Sequence, residues 1–299
     1  MKKITKEEIA DGFKNLQDAI CKSVEKLDGG SAFKEDVWSR PEGGGGRSRV
    51  LKNGELIEKG GVNFSAVSGA TPDKILKALN LSEADFFATG VSIVLHPSNP
   101  WVPIIHMNVR YFEMSTGVWW FGGGIDLTPH IIIPEKAKNF HQHLKKTCDN
   151  HDDSFYPKFK QWADDYFFVK HRDETRGIGG IFFDRLSDKE GKTKTDQWKF
   201  VREVGETFVP AYSDAVDELR NRPYSASDKN WQKIRRGRYV EFNLVHDKGT
   251  KFGLDTNGRT ESILMSLPPE ANWEYDHKPE TKEQKETLEL LKKGIDWIS

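Results

Sequence analysis

The stretch Ile104–Phe112 carries the residues best suited to chemistry. In an extended strand, side chains alternate between faces. His106, Asn108 and Arg110 therefore share one face, while Ile105, Met107, Val109 and Tyr111 share the other. The preceding apolar run behaves alike, with Ser92 and His96 on one side and Val91, Ile93 and Leu95 opposite. If these two strands pair as a hairpin, their polar faces merge. A solvated sheet face ordinarily carries Lys, Glu and Thr; serine, histidine, asparagine and arginine together point to a ligand. Imidazole exchanges protons near neutral pH, and guanidinium grips carboxylates through a fork of donors.

More arginines stand beside glycines. Gly43 to Gly46 precede Arg47 and Arg49, Arg176 precedes Gly177, Gly179 and Gly180, and Gly258 precedes Arg259. Arg235, Arg236 and Arg238 form a further run. Taken singly, each reads as a surface ion pair; together they suit a wide, highly anionic ligand. None of these glycine patterns is a phosphate loop or a dinucleotide fingerprint. Trp119 to Phe121 form a third strand ending in Gly122-Gly123-Gly124, and Asp126 follows. A carboxylate there accepts ligand N–H groups, or acts as a base if its pKa is raised. The commoner use of such a segment is an Asp bonding its own backbone in a turn. His141 and His171 fall on predicted helices. With His96 and His106 they raise a divalent metal as an alternative, although no pair has the adjacent-turn spacing of zinc ligands.

The elements that must position these residues follow from periodicity. Thr5 and Glu8 open a helix over 5–27, with apolar residues at helical spacing and Gly29-Gly30 at its end. Strand character over 47–67 surrounds Asn53-Gly54, a hairpin dipeptide. Thr71-Pro72 opens a short helix. Strands are expected over 90–96, 103–113, 117–121, 178–184 and 238–246. Helices are expected over 134–149, 156–171, 196–220, 228–236 and 280–298, with a charged loop over 188–196. Hairpins rather than strict strand–helix alternation indicate an α+β fold with a largely antiparallel sheet.

Bulk composition narrows the class. The 299 residues hold 45 Lys+Arg and 46 Asp+Glu, a net charge of -1, so nothing draws the whole chain to nucleic acid or an anionic membrane. Cys21 and Cys148 lie far apart and have no metal-type spacing. Met1 to Ala10 are charged and lack a secretory apolar block, and no apolar run is long enough to span a bilayer. A cytoplasmic protein without an integral membrane segment is expected.

These motifs, in this order, resemble the oxygen-dependent coproporphyrinogen III oxidase family from about Phe33 to Tyr275. The most specific run is Lys160 to Asp184, containing Trp162, Asp164, Asp165, Tyr166, His171, Arg172 and Arg176. Gly43–Arg49, Gly60–Ser65, Asn108–Phe112, Tyr239–Leu244 and Gly258–Pro269 also match. The resemblance implies a single domain over 1–299 with a large flat antiparallel sheet between helices. It implies a homodimer supported by 239–273, an amino-terminal helix within 1–30 and a carboxy-terminal helix within 280–299. It implies oxidative decarboxylation of two propionates of coproporphyrinogen III to vinyl groups, with molecular oxygen as acceptor and no other required cofactor. Carried over by position, Ser92, Asn108, Val109, Arg110, Gly258 and Arg259 contact substrate, His106 donates a proton, and Asp126 contacts or deprotonates the macrocycle. Arg47, Arg49 and Arg176 join Arg110 and Arg259 as propionate anchors. His96, His106, His141 and His171 match positions proposed as metal ligands. Ala163, Ile131 and His246 depart from the family pattern, which removes weight from those side chains. Two rivals are a metal-dependent oxygenase using the four histidines and a tetrapyrrole carrier using the same arginines without Asp126.

Overall fold

Residue periodicity at the amino terminus resolves into α1, Lys6–Asp28. Thr5 and Glu8 cap it reciprocally, and Gly29 ends it in the left-handed conformation at φ 84°. The computed structural model describes residues 3–71, 76, 83–255 and 258–299. The helix expected at Thr71-Pro72 lies outside the described residues. Six strands follow α1: β1 Lys34–Ser39, β2 Gly44–Lys52, β3 Ile57–Ala70, β4 Asp85–Pro97, β5 Ile104–Met114 and β6 Trp119–Thr128. Then come α2 Pro134–Asp149, α3 Phe155–Tyr166, the short pair β7 Phe168–Val169 and β8 Glu174–Thr175, and β9 Gly180–Leu186. The chain continues through α4 Lys194–Val216, α5 Ala226–Glu241, a π turn Phe242–His246, α6 Lys248–Asp255, α7 Thr260–Leu264 and α8 Lys282–Leu290.

The large sheet runs β1-β2-β3-β4-β5-β6-β9, and every neighbouring pair is antiparallel. This is the expected α+β architecture, a sheet between helices. One face carries Val62, Val91, Ile93, Met107, Val109 and Ile125 into the main core, against α1, α2 and α4. Phe159 of α3 meets Phe183 and Phe200 there. Asp28 joins α1 to the β2–β3 hairpin: its buried carboxylate accepts the amides of Leu56 (3.0 Å) and Ile57 (2.7 Å) and of three neighbours. The opposite face is partly covered by α5, the π turn and α7.

Four expectations about elements change. β6 does not end at its glycines but runs on to Thr128, because β5 and β9 pair with it on both sides. The helix expected over 156–171 stops at Tyr166. The Phe167 and Arg176 backbones then join across the turn that carries His171. The strand expected over 238–246 is absent. Buried Trp231, Gln232, Ile234, Arg235, Arg236 and Tyr239 keep helical spacing, so α5 continues to Glu241 and passes into the π turn. Finally, α8 is shorter than expected.

Candidate active site

The alternation of β5 decides what the open face of the sheet contains. His106, Asn108 and Arg110 are partly exposed there, and their intervening neighbours are buried in the core. Register builds the face from rows. Ser48, Asn63, Ser92 and Asn108 stand opposite one another across β2, β3, β4 and β5, with Gly124 next in line. Three strand spacings make this polar row roughly 14 Å long. Ser48 donates to Asn63 (2.8 Å) and meets Ser262 of α7 (2.8 Å). The adjoining row places His106 directly opposite Asp126, with Gly180 beyond.

Asp126 is the electrostatic centre. It is 1% exposed, and its carboxylate accepts from Arg176 at 2.7, 2.8 and 3.2 Å. His106 Nδ1 lies 2.7 Å from the same carboxylate. Burial by itself raises the Asp126 carboxyl, but the Arg176 guanidinium and the His106 contact outweigh it and hold the group below the ordinary carboxylate range. An ionised carboxylate only accepts, so His106 Nδ1 carries the hydrogen and Nε2 is left for a ligand. Arg176 is itself boxed by the rings of Phe167, Tyr239 and Phe242 at 4.4, 4.8 and 4.7 Å, and it donates to Asn243. Asp126 is thus neither a turn residue nor a base with a raised pKa. Both of its oxygens already accept from Arg176, and one also meets His106.

The other arginines divide by face. Arg110 lies on the open face, donating to Asn108 (2.9 Å) and Asp184 (2.8 Å). Arg259 reaches the far end of the polar row, donating to Ser262 (3.1 Å) and pairing with Asp36. Arg47 and Arg49 do not join them. Register sets Arg47 opposite Phe64 and Arg49 opposite Val62, which turns both toward α1. There Asp18 and Glu35 hold them at 2.7 to 3.0 Å. A notch of about 290 Å³ beside Arg49 is lined by Asp18, Glu25 and Glu35 as well as Lys22, a poor receptor for a polycarboxylate. Val109 points its side chain into the core, so only its backbone faces the ligand side. Gly258 sits one residue before Arg259, its amide bonded to the Gly253 carbonyl.

The four histidines do not converge. His96 is buried under α7, bonded to the Ser266 carbonyl (2.8 Å), and burial pushes it down to about 3. His141 is buried on the opposite side of the sheet, where Tyr156 and the Ile178 carbonyl use both ring nitrogens; burial pushes it down to about 4. His171 is exposed and bonded to Glu241 and His246. Among the described residues no group of three or more His, Cys, Asp or Glu side chains is placed to hold a metal. The departures have structural roles: Ile131 is core, Ala163 packs with Phe167 and Phe242, and His246 pairs with His171.

Sequence reasoning missed Ser48, Asn63, Asp184 and Asp247. Ser48 and Asn63 sit within motifs already singled out for their glycines and arginines, and the pairing of β2, β3 and β4 brings them into line with Ser92. Asp247 is drawn toward the site by Tyr166 (2.7 Å) and is held below the ordinary range, despite burial, by the Thr250 amide and Tyr166.

Comparison with known proteins shows the family. The family model described as coproporphyrinogen III oxidase matches residues 8–297. Coproporphyrinogen-III oxidase 1, chloroplastic, of Arabidopsis thaliana is 50% identical over 298 residues, covering 94% of this chain and 76% of the relative. The oxygen-dependent coproporphyrinogen-III oxidase, chloroplastic, of Nicotiana tabacum is 48% identical over 95% of this chain and 75% of the relative. The oxygen-dependent coproporphyrinogen-III oxidase of Drosophila melanogaster is 48% identical over 95% of this chain and 76% of the relative. Both plant relatives are chloroplastic by name, which overturns the expected cytoplasmic placement. Among the described residues no helix is long and apolar enough to cross a membrane.

Proposed function

This chain belongs to the coproporphyrinogen III oxidase family, and from that premise we propose how its open sheet face divides the work of the reaction. The reaction is oxygen-dependent oxidative decarboxylation of two propionates of coproporphyrinogen III to vinyl groups, giving protoporphyrinogen IX in porphyrin and haem synthesis. Each conversion takes one proton and two electrons from a propionate β-carbon as carbon dioxide leaves, and molecular oxygen accepts the electrons.

His106 is the catalytic acid–base group, working through Nε2. Asp126 is a positioning residue that fixes the His106 tautomer, and Arg176 positions Asp126. Ser92 and Asn108, together with Ser48 and Asn63, form the polar floor on which the macrocycle lies. Arg110 and Arg259, at opposite ends of that floor, anchor propionates and set which one reaches His106. The Val109 backbone and Gly258 lie against the ligand. Arg47 and Arg49 have no part in binding, and no step draws on His96, His141 or His171 as a metal ligand. The observation that carries this reading is the buried Arg176–Asp126 pair, whose carboxylate takes the His106 Nδ1 hydrogen and leaves Nε2 for substrate.

The working form is a homodimer. Leu244 and Val245 of the π turn, Phe252 and Leu254 of α6, and Trp273 are each at least 41% exposed, and this apolar surface within 239–273 supports a second copy docking there.

The test is a split between turnover and binding. His106→Asn is expected to lose kcat by about 100-fold or more while KM changes little. Arg110→Ala is expected to raise KM. Wild-type turnover in His106→Asn would remove the assignment.

A further inference from the structure

A guanidinium that receives a substrate carboxylate is open to a protein carboxylate when that ligand is gone. The question is acute here, because turnover removes two carboxylates from the ligand. Arg110 has such a partner already in place. Its Nη2 donates to Asp184 Oδ1 at 2.8 Å, and its Nη1 donates to Asn108 at 2.9 Å. The two paired side chains are 39% and 32% exposed, so an arriving ligand can reach the pair.

The backbone is arranged to make this contact. β6 and β9 shift register between Phe121 and Gly123, where Leu186 and then Phe183 are the partners, so β9 carries one extra residue. Arg185 stands in the left-handed region at φ 55° within that irregularity. Bulges of this kind re-aim a neighbouring side chain, and here Asp184 is turned toward Arg110. Gly122 supplies the space: a Cβ there would lie 2.6 Å from Asp184 Oδ1 and 2.8 Å from Arg110 Nη2.

We propose that Asp184 is a built-in stand-in for a substrate propionate: it occupies Arg110 in the free enzyme, yields it to the ligand carboxylate, and takes it back when the product leaves. This rests on the reading of Arg110 as a propionate anchor. The exchange lowers affinity for every carboxylate-bearing macrocycle, and it spares the enzyme a bare guanidinium each time the site empties. An exposed pair is the right competitor, being weak enough to be displaced.

The experiment measures binding of coproporphyrin III, the oxidised macrocycle with the same four propionates and no turnover. Fluorescence titration compares wild type, Asp184→Asn, Arg110→Ala and the double variant, with thermal melts to confirm folding. Asp184→Asn is expected to bind about fivefold tighter than wild type, a size set by the competing exposed pair. Arg110→Ala is expected to bind weaker, and adding Asp184→Asn to it is expected to change nothing further. If Arg110→Ala binds like wild type, the anchor reading itself falls. If Arg110→Ala is weak but Asp184→Asn is unchanged or weaker, the stand-in role is overturned while the anchor survives. If Asp184→Asn tightens binding equally in the Arg110→Ala background, the effect is general charge repulsion, and the proposal is overturned.

Discussion

Replacing Asp126 with asparagine keeps shape and removes charge, so it isolates what the buried carboxylate does. In the native arrangement Arg176 makes three contacts of 2.7 to 3.2 Å to Asp126, and its side chain is 2% exposed. Removing one partner of a buried pair leaves the other charge uncompensated, at a cost of about 3–5 kcal/mol. The aromatic box of Phe167, Tyr239 and Phe242 offsets part of this, so the lower end is expected in urea unfolding at pH 7. Catalysis suffers separately. An asparagine that offers its oxygen to Arg176 turns its NH2 toward His106 Nδ1 and inverts the tautomer, and loss of a positioned acid–base group lowers kcat by roughly 10²–10⁴-fold. The pH dependence follows from sign. The folded Asp126 carboxyl is depressed, so its stabilisation is complete above the unfolded value of about 3.9 and is lost as pH falls through the lower folded value. The stability gap between wild type and Asp126→Asn is therefore flat from neutral pH to about 4 and narrows below it. An Asp126→Asn protein with wild-type turnover and an unchanged urea midpoint would refute the reasoning.

Arg110→Ala is expected to raise KM about tenfold, the worth of a charge-assisted hydrogen bond, and the wild-type KM to rise with salt because that anchor is exposed. Arg47→Ala, on the opposite face, is expected to leave KM within about twofold; steady-state kinetics separates the two. Asp28→Ala strands the buried amides of Leu56 and Ile57 and is expected to cost on the order of 3 kcal/mol in urea unfolding, with activity per folded molecule unchanged. His96 and His141 are buried neutral, their values pushed down to about 3 and about 4. The unfolded chain takes up protons on both below about pH 6.5, so each histidine removes up to roughly 1.4 kcal/mol of stability per pH unit as pH falls from there toward its folded value. His141→Gln is expected to flatten that slope in a pH series of urea midpoints.

The strand that carries His106, Asn108 and Arg110 was legible because β5 has a clean two-residue period with an apolar face, and hydrophobic burial fixes its phase. β2 has no such signature. Gly44 to Gly46 carry no side chains to declare a face, so the side on which Arg47 and Arg49 emerge depends on pairing with β3, a long-range fact. The glycines of β6 read as a strand end because local preference opposes a strand there, and pairing on both edges overrode it. The same override, in the other direction, turned the apolar–polar alternation of Val240 to Leu244 into the end of a helix and its π turn. The state of the Asp126 carboxyl was not legible: it depends on a neighbour fifty residues away, Arg176. His171 was placed on a helix because Phe159, Ala163, Phe167 and His171 keep a four-residue spacing past the point where Phe167 and Arg176 close a turn.

The most direct test of the central claim counts carbon dioxide released from coproporphyrinogen III by wild type and His106→Asn, each in air and under argon. The account predicts two molecules per macrocycle and a divinyl product from wild type in air, next to none under argon, and next to none from His106→Asn in either atmosphere while the macrocycle still binds. Undiminished release by His106→Asn, or release by wild type under argon, would contradict it.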